Sequence, residues 1–335
     1  MWVPVRFFTG LLGRRRALVT GGASAPHLPL TGGLNPPRII SVLLLALASF
    51  ALGGCSAIKI AYNQAPELAY WYLNDYVDFS SEQSLPVKAE LARLHAWHRQ
   101  TQLPGYIEQL QSFQRQVAGD LTPTQACAAV AEVRRGFMTI VERMEPVAAK
   151  QALSLDAAQL QTIERHLAKG NTEYRKDYLE GTPKAISARR MKQATKRAEM
   201  LYGRLDAPQI EVLQKLLDES VFDARRAYAE RLRRQQDVLQ TLRAAAAAST
   251  GGLSGAGSAP AAVASMRTAV RGLMDRAITS PNSAYRAYAD QIAEERCQMV
   301  AQFHNSTSPL QRQKAAETLR DYETDARMLL TQGAS

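Results

Sequence analysis

Four helix-start signatures constrain the fold of this chain more than any other feature. Ser80, Thr122, Asp206 and Ser308 each stand three residues before a glutamine (Gln83, Gln125, Gln209 and Gln311), and Pro follows the last three within two positions. A short side-chain oxygen with Gln at N3 is a capping box: it satisfies two otherwise unpaired amides reciprocally, and Pro at a helix start forfeits no bond. Between these starts apolar residues recur at three- and four-residue steps, and no convincing run alternates β-branched with polar residues. The fold class that follows is all-α, a multi-helix elongated bundle. The starts are unequally spaced, which excludes a solenoid of fixed period. Helices are predicted near 66–79, 81–101, 104–119, 123–151, 155–180, 185–204, 207–247, 261–278, 282–304 and 309–331.

The chain of 335 residues is 46% hydrophobic, enough to bury one or two ordinary cores without metals. Its net charge of +10 overstates the basicity of the body, because every charge in the first 54 residues is an arginine (Arg6, Arg14, Arg15, Arg16 and Arg38). Elsewhere Lys and Arg alternate with Glu and Asp, the pattern of solvated helix faces rather than of a phosphate-tracking groove, so no nucleic-acid partner is expected.

Residues 39–52, "IISVLLLALASFAL", carry no charge and follow Arg38. Fourteen helical residues rise about 21 Å, short of a hydrocarbon core of about 30 Å, so the run reads as a secretory signal rather than a permanent span. It ends in "LGGC", which resembles the lipobox of bacterial lipoproteins. The resemblance implies that the Cys55 thiol is lipidated, that acyl chains including palmitate anchor it, and that Ser56 directs the protein to the periplasmic face of the outer membrane. Several acyl chains at about 0.8 kcal/mol per buried methylene hold a protein stably on a bilayer. The Arg-rich residues 1–34 fit such a signal poorly. Either its basic region is unusually long or translation begins later. The domain organisation expected is an extended N-terminus with signal peptide over 1–54, a helical body over 55–248, a Gly/Ser-rich linker over 249–260, and a C-terminal helical segment over 261–335 that packs on the body or stands apart.

Three stretches hold the candidate interaction residues. In "HAWHRQTQLPGY" (95–106), His95 and His98 share a helix face, but HxxH without a further ligand is no metal site. A histidine of this pair is expected to pack at the helix end and donate to a backbone carbonyl before Pro104. Trp97, Arg99 and Tyr106 complete this region. In "NTEYRKDY" (171–178), Tyr174 and Tyr178 share a face, where interhelical packing competes with a ligand-facing role. Residues 184–204 carry Lys184, Arg189, Arg190, Lys192, Lys196, Arg197 and Arg204 opposite an apolar stripe of Met191, Ala194, Ala198, Leu201 and Leu205. That basic face is either merely solvated or meets an anionic envelope component.

Cys127 and Cys297 remain after Cys55. In an oxidising compartment an even pair is able to join, and the alternative there is two buried thiols. No nucleophile elbow, phosphate loop or metalloprotease motif occurs, so no catalytic residue, cofactor or metal is assigned.

The order of motifs resembles an uncharacterised family of helical bacterial lipoproteins classed as a domain of unknown function. The motifs are "CSAIKIAYNQAPELAYWYLNDYVDF", "WHR" with "LP" and "Y", "NTEYRKDY", "ARRMKQATKRAEMLYGRLDAPQ" and "SPLQRQKAAETLRDYETDARML". Positions carried over are Tyr62, Asn63, Asp75, Tyr76, Asp78, Gln83, Trp97, His98, Arg99, Leu103, Pro104, Tyr106, Asn171, Tyr174, Tyr178, Gly203 and Gln209. The resemblance implies an address and a helical fold but no activity. "LTPTQ" (121–125) also matches the LTxxQ pattern of Spy-type periplasmic chaperones, a match that capping chemistry explains equally well. The leading expectation is a non-enzymatic, membrane-tethered interaction or scaffold protein with an envelope protein or anionic component as partner. The alternatives are a chaperone-like binder of envelope proteins and an envelope hydrolase using His98 with a carboxylate.

Overall fold

The computed structural model describes residues 53–250 and 258–332, with side chains placed at 58–247 and 260–332. The apolar run 39–52, the side chain of Cys55 and residues 251–257 of the expected linker lie outside that set. Among the described residues there are twelve helices and no strand: α1 (Gly53–Asn63), α2 (Ala65–Val77), α3 (Ser81–Thr101), α4 (Leu103–Gln116), α5 (Pro123–Ala152), α6 (Ala157–Tyr178), α7 (Pro183–Tyr202), α8 (Ala207–Asp218), α9 (Ala224–Thr250), α10 (Ser258–Ile278), α11 (Ser283–Asn305) and α12 (Pro309–Thr331). The chain is all-α. None of these helices is long and apolar enough to cross a membrane.

All four capping boxes form as the sequence predicts, at the starts of α3, α5, α8 and α12. A fifth, Asp156 with Gln159, opens α6, and like the Ser80 box it has no Pro at the helix start. Ahead of three of them the residue before the cap is a buried leucine, Leu121, Leu155 or Leu205, which packs the entering chain against the core.

Two predicted elements are corrected. Residues 55–65, expected as a short tether, belong largely to α1. The single helix expected over 207–247 is broken at 219–223, between α8 and α9. There Asp223 Oδ1 accepts from the amides of Arg225 (2.8 Å) and Arg226 (3.1 Å), and the Asp223 amide donates to the Tyr288 hydroxyl at 2.7 Å. No Gly, Pro or N3 glutamine marks the break, so its signal is tertiary.

The predicted apolar stripe of α7 is internal. Met191, Ala194, Ala198 and Leu201 pack on a core of Tyr202, Leu205, Leu213 and Leu216 that α11 and α12 complete with Phe303 and Ala315. Burying each such large side chain contributes about 1.5–3 kcal/mol. Ala149 and Ala152 of α5 meet Ala245 of α9 and Met266 and Val270 of α10, and the three alanines leave room for the larger side chains between these helices. A third cluster, Leu155, Leu160 and Ile163, packs with Val77 and Leu239. The helices after the 251–257 segment thus share cores with those before it. Arg267 and Arg271 of α10 also clamp Glu145 of α5, which is 4% exposed, and Arg276 forks onto Asp237 of α9.

Candidate functional site

The "WHR…LP…Y" region assembles around α1. On α3, residues 95, 98 and 99 share one face by helical spacing, and Tyr62 of α1 lies across it. The Tyr62 hydroxyl is 2.9 Å from His98 Nδ1, and its ring centroid is 4.7 Å from that of His95. The Arg99 guanidinium covers the Tyr62 ring at 5.4 Å and donates to Asn63 Oδ1. α4 begins at Leu103 and Pro104, which swings Tyr106 back over His98 at 5.4 Å.

Burial pushes the His98 imidazole below its ordinary range, and neighbouring His95 adds to the shift. Burial likewise lowers His95, with Arg99 contributing, and raises the Tyr62 hydroxyl to about 12. The phenol therefore keeps its proton and shares a hydrogen bond with a neutral imidazole, the tautomer of His98 setting which of the two donates. This corrects the expectation that a histidine here bonds a backbone carbonyl before Pro104, since His98 bonds the Tyr62 hydroxyl and His95 Nε2 has no hydrogen-bond partner among the described residues. Trp97 points elsewhere, half-buried beneath Arg143 of α5.

α1 is also held by α12. Lys59 Nζ lies 3.8 Å from Asp325 Oδ1, and Asp325 is 1% exposed with its carboxyl raised by burial. Nothing local in "DYETDARML" distinguishes Asp325 from the neighbouring acids on its helix, so the sequence reading misses it. Among the described residues no carboxylate contacts His98, and no three metal-ligating side chains converge.

Tyr174 and Tyr178 pack between helices. Their rings lie 4.8 Å apart, Tyr174 stacks on Tyr228 of α9, and Tyr178 meets Phe222 edge-on. The Tyr174 hydroxyl donates to the Ala224 carbonyl and the Tyr178 hydroxyl to Gln193 Oε1. Asn171 pairs amide to amide with Gln235 and accepts from Arg231 Nε at 2.8 Å.

The basic helix α7 divides its charges. Arg189 donates to the Asp177 and Glu180 carbonyls at the end of α6, where a cation complements the helix dipole. Arg190 covers the Phe222 ring. Lys184, Lys192, Lys196, Arg197 and Arg204 stand exposed.

At the opposite end of α5, Cys127 and Cys297 form a disulfide across a sequence separation of 170. Beside it His304 is fully buried: its Nε2 lies 2.7 Å from the Gly119 carbonyl and its Nδ1 2.9 Å from the Tyr202 hydroxyl. Asn305 receives the Leu121 amide and donates to the Leu121 carbonyl, fixing the entry to α5.

Fold and site together define an all-helical protein whose polar clusters tie helices to one another. The chain belongs to a family of unknown function (DUF6279), whose profile matches residues 75–251. That span takes in the carried-over positions from Asp75 to Gln209 and leaves out Tyr62 and Asn63. No curated protein and no solved structure matches the chain.

Proposed function

We propose that the protein is a lipid-anchored, non-enzymatic component of the bacterial envelope, tethered through Cys55 at the periplasmic face of the outer membrane and acting through its helix surfaces as an interaction or scaffold protein. The observation that carries this reading is the Cys127–Cys297 disulfide, because such bonds persist in oxidising compartments and are rare in the cytosol. The lipobox-like "LGGC" supports it independently.

Metabolic labelling with an alkyne palmitate, followed by mass spectrometry of the N-terminal peptide, tests the anchor. The expected product starts at an acylated Cys55 and fractionates with outer membrane, and Cys55→Ser abolishes labelling. An unmodified thiol on a chain that keeps residues 1–54 and fractionates with cytosol overturns the reading.

A chaperone-like role draws on the exposed Val130, Val133 and Phe137 beside Arg134 and Arg135, although that strip runs along a single helix rather than lining a concave patch.

A further inference from the structure

Among the described residues the outer face of α5 is uncovered. Val130, Val133 and Phe137, spaced three and four apart, are 54%, 61% and 42% exposed, and Arg134 and Arg135 stand exposed among them. A helix ordinarily buries a stripe of that spacing against another helix. Other sides of α5 are occupied: Gly136 meets Tyr106, and Ala149 lies in a core with α9 and α10. Arg135 has Glu132 at 3.9 Å, and Arg134 makes no ion pair among the described residues.

A complementary surface lies between α8 and α11. It is a groove of about 390 Å³ with a mainly polar lining, in which Glu219, Glu294, Glu295 and three glutamines surround apolar Leu216, Val221 and Met299. Val221 is 42% exposed, and Glu219 and Glu294 are exposed. One surface is apolar and basic, the other is mainly polar and acidic with apolar side chains among its carboxylates. The strip cannot fold into its own groove, because the disulfide and the Asn305–Leu121 bonds fix α5 to α11.

We propose that these are the two halves of one self-association interface: the α5 strip of one copy seats in the α8–α11 groove of a second, with Arg134 and Arg135 against Glu219 and Glu294. Every copy carries both halves, so a pair related by a two-fold axis buries each of them twice, and any other relation closes a ring or propagates a chain of copies. The contact is independent of whether Cys55 is acylated. Opposite charges set its register, so it weakens as salt rises.

Sedimentation equilibrium of the full chain in mild detergent reads the association directly. Arg134→Glu with Arg135→Glu is expected to weaken it about tenfold or more, and so is Glu219→Arg with Glu294→Arg. Mixing the two double variants restores it, because the acidic strip of one then meets the basic groove of the other. A photo-crosslinking phenylalanine analogue at position 137 should join the peptide containing Val221 or Glu294 of another copy, and a parallel sample of the Cys55→Ser chain should behave alike. A chain that stays monomeric, mixed variants that fail to recombine, or crosslinks confined to lipid or to other polypeptides each overturn the proposal. Circular dichroism of the variants confirms that a loss of association is not a loss of fold.

Discussion

The side-chain amides of Gln83 and Gln159 bond to one another, Nε2 of Gln159 donating to Oε1 of Gln83 at 2.6 Å and the reverse bond measuring 3.3 Å. Each is the N3 glutamine of a capping box, and each also donates to the carbonyl two residues before the other's cap, Gln159 to Asp78 and Gln83 to Ser154. The same clasp recurs between Gln209 and Gln311, which donate to Ser306 and Arg204 at the corresponding positions. Two helix starts are thus joined head to head through fully satisfied amides, α3 with α6 and α8 with α12.

Removing one member of a clasp breaks several part-buried hydrogen bonds at once. Gln159 is 5% exposed, and Gln159→Ala takes the partner from the Asp156 amide and the Asp78 carbonyl, which water can reach, so the expected cost is about 1–2 kcal/mol. Urea denaturation measures it. A double-mutant cycle with Gln83→Ala should show a coupling of about 1 kcal/mol, and strict additivity would mean that the two amides act independently.

The contrast between box and clasp shows what the sequence discloses. Ser80 and Gln83 are three residues apart, and local spacing sets their bond; Gln83 and Gln159 meet only because two distant helices converge. The same division holds at α1. That His95, His98 and Arg99 share a face follows from helical period, whereas Tyr62 and the Lys59–Asp325 pair depend on where α1 and α12 dock. The break before Asp223 was illegible because Tyr288, remote in sequence, holds it.

The disulfide bridges helices on either side of the 251–257 segment. In the chain-entropy account, closing so long a loop stabilises by about 5 kcal/mol, so Cys127→Ala with Cys297→Ala should lower the denaturation midpoint sharply. A protease site inserted at 251–257 supplies a second readout. After cleavage the denatured protein should run as one species without reductant and as two with it. Two species under both conditions would mean that the bond does not form.

Burial holds His95, His98 and His304 below the ordinary imidazole range, so their neutral forms belong to the folded state. The unfolded chain titrates near pH 6.5 and binds more protons just below it. The stability these groups contribute is therefore complete above about pH 6.5 and is lost as pH falls towards their folded values. Denaturation midpoints should decline from pH 7 to pH 5. His304→Gln should flatten that slope by up to one proton, about 1.4 kcal/mol per pH unit. Asp325 acts in the opposite sense. Its raised carboxyl favours the folded state at low pH and penalises it as pH rises, so Asp325→Asn should be tolerated best at neutral pH.

Gly136 and Gly170 both sit inside helices, and both would gain about 1 kcal/mol of helix propensity on substitution by alanine. Their surroundings separate them. A Cβ on Gly136 would stand 3.0 Å from both Cε1 and the hydroxyl oxygen of Tyr106, a stiff ring already packed on His98. A Cβ on Gly170 would meet only the Nη2 tip of Arg231 at 2.8 Å, and that flexible end can swing aside. Gly136→Ala should therefore destabilise by about 1–3 kcal/mol, and Gly170→Ala should be neutral or stabilising. Combining Gly136→Ala with Tyr106→Leu should relieve most of the Gly136→Ala penalty in the thermal midpoint. If the penalty persists without the ring, its source is the α5 backbone and not the contact that links α5 to the seat of α1.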